Sequence, residues 1–205
     1  MKVGVVGAGT MGTALARALL RAGHEVVVGS RRALSQENGL VFRTYAEAAR
    51  FGNVVVLATI WDETPEAIVQ SGSLRDRIVI DATNPEDGEG RSRVLADGAS
   101  GGEHVARWAE GARVVKAFNH VYAPLLDTGP VFSCQKASVF YCGDDNEAKA
   151  QVRALIDELG FDPVDSGPLS SARSLEALAA LIVELVRRQG HAPTNTALKL
   201  LRRAS

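Results

Sequence analysis

Apolar positions along the chain gather into short, nearly unbroken β-branched runs, separated by stretches rich in Ala, Leu, Arg and Glu. Val3–Val6, Glu25–Val28, Val54–Leu57, Ile78–Ile80, Arg113–Val115, Val139–Tyr141 and Pro163–Asp165 read as strands, and stretches such as Thr13–Arg21 read as helices. Strands that are apolar on both sides of the pleat suit a parallel sheet covered by helices on both faces. The pattern therefore predicts an α/β fold built on a doubly wound parallel sheet. The glycine-rich stretch 86–102 interrupts it and reads as a long functional loop or a short helix rather than a linker.

Beyond Ser166-Gly167-Pro168 the period changes. Leu175, Leu178, Ala179, Ile182, Leu185 and Val186 recur at helical spacing, so one face of a long helix is expected to be buried. A second short helix is expected from Pro193, turning Leu198 and Leu201 inward. The expected organisation is a nucleotide-binding domain over residues 1–165 and a small C-terminal helical hairpin over 166–205. The basic residues from Arg187 onward read as solvated helix-end charges, with an anion-binding patch as the alternative.

Composition narrows the class. With 205 residues, 46% hydrophobic and 23% charged, the chain has room for one full domain and a small extension, which excludes disordered and fibrous proteins. A formal net charge of −1 gives no overall electrostatic reason to bind nucleic acid or a membrane surface. Cys134 and Cys142 lack metal-ligand spacing and read as free thiols, with no metal site. The first residues enter a strand without the apolar core of a signal peptide, so a cytoplasmic location is expected.

The chemistry starts at Gly7-Ala8-Gly9-Thr10-Met11-Gly12, a G-x-G-x-x-G string between a strand and a helix. In that context the first glycine permits a tight turn, the second lets backbone approach a pyrophosphate, and the third allows close helix–strand packing. The helix N-terminus then stabilises phosphate charge. A Rossmann dinucleotide fold follows. At the end of the second strand, where a carboxylate would accept a ribose 2′-hydroxyl, the chain reads Ser30-Arg31-Arg32. A hydroxyl and two guanidinium groups suit a 2′-phosphate, which favours NADP(H) over NAD(H).

Three more strand ends point to the same crevice: Ala58-Thr59-Ile60-Trp61, Asp81-Ala82-Thr83-Asn84-Pro85 and Lys116-Ala117-Phe118-Asn119-His120. Trp61 is a candidate to flank a flat ring. Asn84 and Asn119 are candidates for amide hydrogen bonds to a carboxamide, and Ala58, Thr59 and Ala117 for the walls. His120 alone among the histidines falls at such a strand end and is the candidate proton donor. No Ser–His–Asp arrangement or paired-carboxylate site stands out.

Several strings together resemble the coenzyme F420-dependent NADP oxidoreductase family. They are Val26-Val27-Val28-Gly29-Ser30-Arg31-Arg32, Asn84-Pro85, Val114-Val115-Lys116-Ala117-Phe118-Asn119, Tyr141-Cys142-Gly143-Asp144-Asp145 and Asp165-Ser166-Gly167-Pro168-Leu169. The resemblance runs from residue 1 to about residue 190 and implies a Rossmann domain with a small helical extension, often dimeric. It also implies hydride exchange between NADP(H) and a 5-deazaflavin, coenzyme F420. The family's pyrophosphate loop falls on Ala8, Gly9, Thr10 and Met11, and its 2′-phosphate site on Ser30 and Arg31. The chain departs from archaeal members at Ser35, where they carry lysine, and at Phe118-Asn119-His120, where they read Leu-His-Thr. The Lys-Ala-Phe-Asn form is similar instead to bacterial relatives and to the reductase domain of the Steap metalloreductases.

Hydride transfer between stacked rings requires mainly alignment and exclusion of water, so the lack of an obvious catalytic acid or base does not count against an enzyme. The expected partner is a small-molecule redox cofactor acting as substrate, in a homodimer. One alternative is an NADPH-dependent flavin or ferric reductase using FMN or FAD. Another is a non-catalytic NADP(H)-sensing module. A β-hydroxyacid or pyrroline reductase would need a large helical substrate domain, for which the chain has no room.

Overall fold

The computed structural model describes residues 1–31, 36–37, 39–87, 91–189 and 196–203. The chain runs through β1 (Lys2–Val6), α1 (Thr10–Arg21), β2 (Glu25–Gly29), β3 (Gln36–Glu37), β4 (Leu40–Arg43), α2 (Tyr45–Phe51) and β5 (Val54–Leu57). After a 3-10 turn at Trp61–Glu63 come α3 (Thr64–Ser71), β6 (Ile78–Asp81), α4 (Gly101–Trp108), β7 (Arg113–Lys116) and α5 (Ala123–Thr128). A small hairpin of β8 (Val131–Phe132) and β9 (Gln135–Lys136) leads to β10 (Ser138–Gly143), α6 (Asn146–Glu158) and β11 (Asp162–Asp165). A second 3-10 turn, Leu169–Ser171, opens into α7 (Ala172–Gln189).

The main sheet has the order β11-β10-β7-β6-β5-β1-β2-β4-β3. Val5 pairs with Val28 on one side and Val56 on the other, so β1 sits where the strand order reverses. Alternate residues of these strands feed two cores: Val3, Val5, Val28 and Val56 pack towards Leu15 and Leu19 of α1, and Val6, Val55 and Leu57 towards Tyr45, Trp61 and Ile68. Both faces are covered, as the unbroken apolar runs require. The expected Rossmann sheet with a C-terminal helical extension is what forms.

Two features differ from the sequence expectation. β10 runs antiparallel to β7, pairing Cys142 with Lys116 and Gly143 with Val115, so the sheet is mixed at that end. An apolar run reports burial on two sides, and β10 keeps that burial in either direction. The second tail helix is not formed over residues 196–203. There the chain lies along the start of β10: the Ser138 amide donates to the Leu198 carbonyl at 2.7 Å, and the Leu200 amide to Ser138 Oγ at 3.1 Å. Lys199 closes the contact on Asp162 at 2.6 Å, while Leu201 stays 71% exposed rather than turning inward. An edge N–H that finds a carbonyl partner offsets the lost helical bonds. Residues 191–195, including Pro193, lie outside the described residues.

Candidate functional site

The reversal of strand order at β1 opens a crevice between the carboxyl ends of β1 and β5, the place where ligands bind in open α/β sheets. A cavity of about 800 Å³ fills it, lined by Gly7, Ala8, Gly9 and Thr10 from the glycine turn and by Ser30 and Arg31 from the end of β2. Ala58 and Thr59 line it from β5, and Pro124 and Asp127 from α5. Further residues, not anticipated from sequence, also line it: Thr13, Arg17, Tyr45 and Glu63. They come from helices and turns whose strand-end neighbours carry the recognisable pattern, so no local signal distinguished them.

The glycine turn is shaped by backbone approach. Gly7 has φ +116°, and a Cβ there would meet the Ala58 carbonyl at 2.5 Å. A Cβ on Gly12 would run into the Gly7 carbonyl, which keeps α1 close to β1. At Gly9 nothing lies within 4 Å of a Cβ position, so the turn leaves open space facing the cavity. Helix α1 begins at Gly9 with no side-chain cap and no acidic residue in its first turn. By contrast Thr44, Ser100 and Asp145 cap α2, α4 and α6. A bare helix N-terminus carries unsatisfied N–H groups and partial positive charge. The loop therefore fits the pyrophosphate of a dinucleotide. Met11 is half-buried and Gly12 buried beneath the turn, and neither is among the cavity-lining residues.

At the end of β2 the Ser30 amide donates to the Arg43 carbonyl at 2.8 Å, which fixes the strand end against β4. Arg31 reaches across the crevice and donates to Glu63 Oε2 at 2.6 Å. That hydrogen bond, reinforced by the Glu63 charge, holds the Arg31 guanidinium more firmly protonated. Tyr45 stands beside it, its phenol pushed up by burial. Arg32 and Ser35 lie outside the described residues.

The remaining strand ends behave differently. Trp61 does not line the cavity. It is 8% exposed and packs against Trp108 at 5.2 Å and His104 at 6.3 Å, because an indole next to two aromatic rings gains more from that cluster than from solvent. Ala117 is fully buried. Phe118 takes φ +64°, a left-handed conformation that strains a bulky residue, and turns the chain at the end of β7. Asn84 and Asn119 then meet: Asn84 Nδ2 donates to the Asn119 carbonyl at 2.7 Å, and Asn119 Nδ2 to Asn84 Oδ1 at 2.9 Å and to the Leu175 carbonyl at 3.0 Å. Asn119 Oδ1 is buried with no partner among the described residues.

His120, the expected proton donor, is not brought into the cavity. Its Nε2 accepts the Phe140 amide at 3.0 Å, its ring packs on Phe140, and burial pulls its pKa down to about 4. The ring is neutral at pH 7, its Nε2 is occupied, and it is not among the residues lining the cavity.

Behind the asparagines sits a charged cluster that the sequence did not announce. Lys116 Nζ, fully buried, lies 2.7 Å from Asp81 Oδ2, 2.9 Å from Glu176 Oε1 and 3.0 Å from the Thr83 carbonyl. Burial works against its charge, but Asp81 and Glu176 more than offset this and leave its pKa raised. Glu176 in turn accepts the Gly101 and Gly102 amides at 3.0 Å each, tying α7 to the start of α4. The cluster fastens the tail helix to the ends of β6 and β7. Cys142 is buried nearby, its thiol pushed up to about 12 by burial. Among the described residues no group of His, Cys, Asp and Glu could hold a metal ion, and no helix is long and apolar enough to cross a membrane.

Residues 2–85 match the family model described as NADP oxidoreductase, coenzyme F420-dependent. Over 90% of its length the chain is 35% identical to the F420-dependent NADP reductase of Methanothermobacter marburgensis, covering 92% of that protein. The chain belongs to this family of NADP oxidoreductases. The crystal structure of a family relative from Arthrobacter sp. FB24, named provisionally as an F420-dependent NADP reductase, superposes with a TM-score of 0.86 at 32% identity, covering 98% of this chain and 100% of that one. Rat metalloreductase STEAP3 is 34% identical over 86% of this family member, which spans only 36% of STEAP3.

Proposed function

We propose that the protein moves hydride between NADP(H) and a deazaflavin of the coenzyme F420 type. The observation that carries the NADP(H) half is the crevice itself: an uncapped α1 N-terminus with open space at Gly9, and Ser30 and Arg31 at the end of β2. In this reading Ala8, Gly9, Thr10 and Met11 hold the pyrophosphate, and Ser30, Arg31 and Arg32 the 2′-phosphate. When bound, the nicotinamide supplies or accepts the hydride. Ala58 and Thr59 form the wall beside it. Asn84 and Asn119 are not among the residues lining the cavity; bonded to each other, they brace the strand ends behind its wall. These residues align rings and exclude water, and the protein contributes no acid or base to the step.

The deazaflavin half rests on likeness to the Methanothermobacter marburgensis enzyme over nearly its whole length. A second reading, an NADPH-dependent flavin or ferric reductase, is favoured by the match to STEAP3. Anaerobic mixing of NADPH with deazaflavin, FMN or FAD tests both. Rapid reduction of deazaflavin alone at micromolar concentration is expected; rapid reduction of FMN or FAD alone moves the assignment to the second reading. Binding of NADPH with no acceptor reduced would point to a sensing module. A homodimer acting in the cytoplasm completes the proposal.

A further inference from the structure

The carboxylate of Glu63 occupies an unusual place. Glu63 is the residue preceding α3, where a side chain ordinarily caps the helix, yet it makes no capping bond and extends to Arg31 instead. Both residues line the crevice. The turn that carries Glu63 is pinned on every side. Trp61 is buried among aromatic rings, Asp62 binds Arg93 through both carboxylate oxygens at 2.6 and 3.1 Å, and Thr64 Oγ1 bonds to Thr59 Oγ1 at 2.8 Å and to the Ile60 carbonyl at 3.1 Å. With its turn fixed and its side chain 34% exposed, Glu63 stays within reach of Arg31 in the same cavity.

We propose that Glu63 is a specificity-determining residue: its carboxylate competes with a dinucleotide 2′-phosphate for Arg31 and so narrows the preference for phosphorylated over unphosphorylated dinucleotides. The inference rests on the reading that this crevice takes NADP(H) with its 2′-phosphate at Arg31. A phosphate monoester carries close to two negative charges at neutral pH, and seating it on Arg31 brings it towards a carboxylate held 2.6 Å from the same guanidinium. The phosphate must displace Glu63 or share the guanidinium with it, and both options cost binding. An unphosphorylated ribose incurs no such repulsion. Its 2′-hydroxyl can donate to Glu63, the task a carboxylate at the end of the second strand performs in NAD-binding folds. Arg31 thus serves one cofactor and Glu63 the other, and their mutual bond moderates the discrimination.

Titration of the full chain with NADPH and with NADH, followed by nicotinamide fluorescence without any electron acceptor, tests this on wild type, Glu63→Gln and Arg31→Ala. Glu63→Gln preserves shape and removes the charge. It should tighten NADPH by about fivefold or more and leave NADH unchanged or weaker, so that the ratio of dissociation constants, NADH over NADPH, rises. An unchanged ratio overturns the proposal. A ratio that falls also overturns it, since Glu63 would then be positioning Arg31 for the phosphate. The Arg31→Ala arm separates the two layers. If NADPH weakens relative to NADH in Arg31→Ala but Glu63→Gln changes nothing, only the role of Glu63 is lost. If Arg31→Ala leaves the ratio unchanged, the placement of the 2′-phosphate fails and takes the role of Glu63 with it.

Discussion

Lys116 Nζ lies 2.7 Å from Asp81 Oδ2, and neither side chain reaches solvent. A buried pair of this kind adds little when intact, because desolvation offsets attraction, but breaking it leaves a charge without a partner. Lys116→Met strands the carboxylates of Asp81 and Glu176 and is expected to cost about 3–5 kcal/mol of stability. Urea unfolding should show a lower midpoint; a midpoint within experimental error of wild type would mean the cluster is dispensable.

The 2′-phosphate reading makes a kinetic prediction. Arg31→Ala combined with Arg32→Ala removes both guanidinium groups of the Ser30-Arg31-Arg32 string, and the Michaelis constant for NADPH should rise about tenfold or more relative to NADH. Steady-state kinetics with each cofactor gives the ratio, and a ratio that does not move rules out this site.

Gly9 and Gly12 should fail in different ways. Gly9→Ala places a methyl group in open space facing the cavity, so the variant should melt like wild type yet bind NADPH about tenfold more weakly. Gly12→Ala drives its methyl group into the Gly7 carbonyl and should lower the melting temperature as well. Calorimetry and fluorescence titration on the same samples distinguish the two.

His120 predicts an acid-sensitive fold. Its folded pKa, near 4, lies below the unfolded value, so between pH 6.5 and 4 the unfolded chain binds a proton that the folded one refuses. Stability is full above that window and falls as pH drops through it, by up to about 3 kcal/mol from this residue. His120→Asn should flatten the stability profile over that range while leaving the pH dependence of turnover unchanged. A lost limb in the turnover profile would restore His120 as a proton donor.

The proposed homodimer has a place to form. Leu181 and Leu185, 54% and 40% exposed, lie one turn apart on α7. Replacing both with aspartate should convert a dimer to a monomer in sedimentation equilibrium; an unaltered association state would place the interface elsewhere.

Much of the architecture was legible because two-sided burial leaves a mark in every strand: Val3–Val6 or Val54–Leu57 can hardly be anything else. The glycine turn was legible for a similar reason, since Gly7 and Gly12 are demanded by backbone geometry that acts within a few residues. Direction and partnership were not. Nothing in Ser138–Gly143 specifies that β10 runs antiparallel, and the extended course of Leu198–Leu200 depends on Ser138, some sixty positions away. Trp61 and His120 lie away from the cavity for one physical reason that sequence does not carry. An aromatic or imidazole ring beside a strand end can face the crevice or the core, and local sequence does not say which. Glu63 was missed for the converse reason. Arg31 is marked out by its place after the second strand, but Glu63 looks like an ordinary surface residue until the fold brings the two to 2.6 Å.

The bond from Glu176 to the amides of Gly101 and Gly102 has a consequence for stoichiometry. With Ser100 already satisfying the Glu103 amide, the start of α4 is filled by the chain's own oxygens. A free phosphate-bearing fragment such as 2′,5′-ADP therefore finds that terminus plugged, while the start of α1 stands open. Of these two helix starts only that of α1 is left for an anion of this kind, so a titration should show no second equivalent bound at α4.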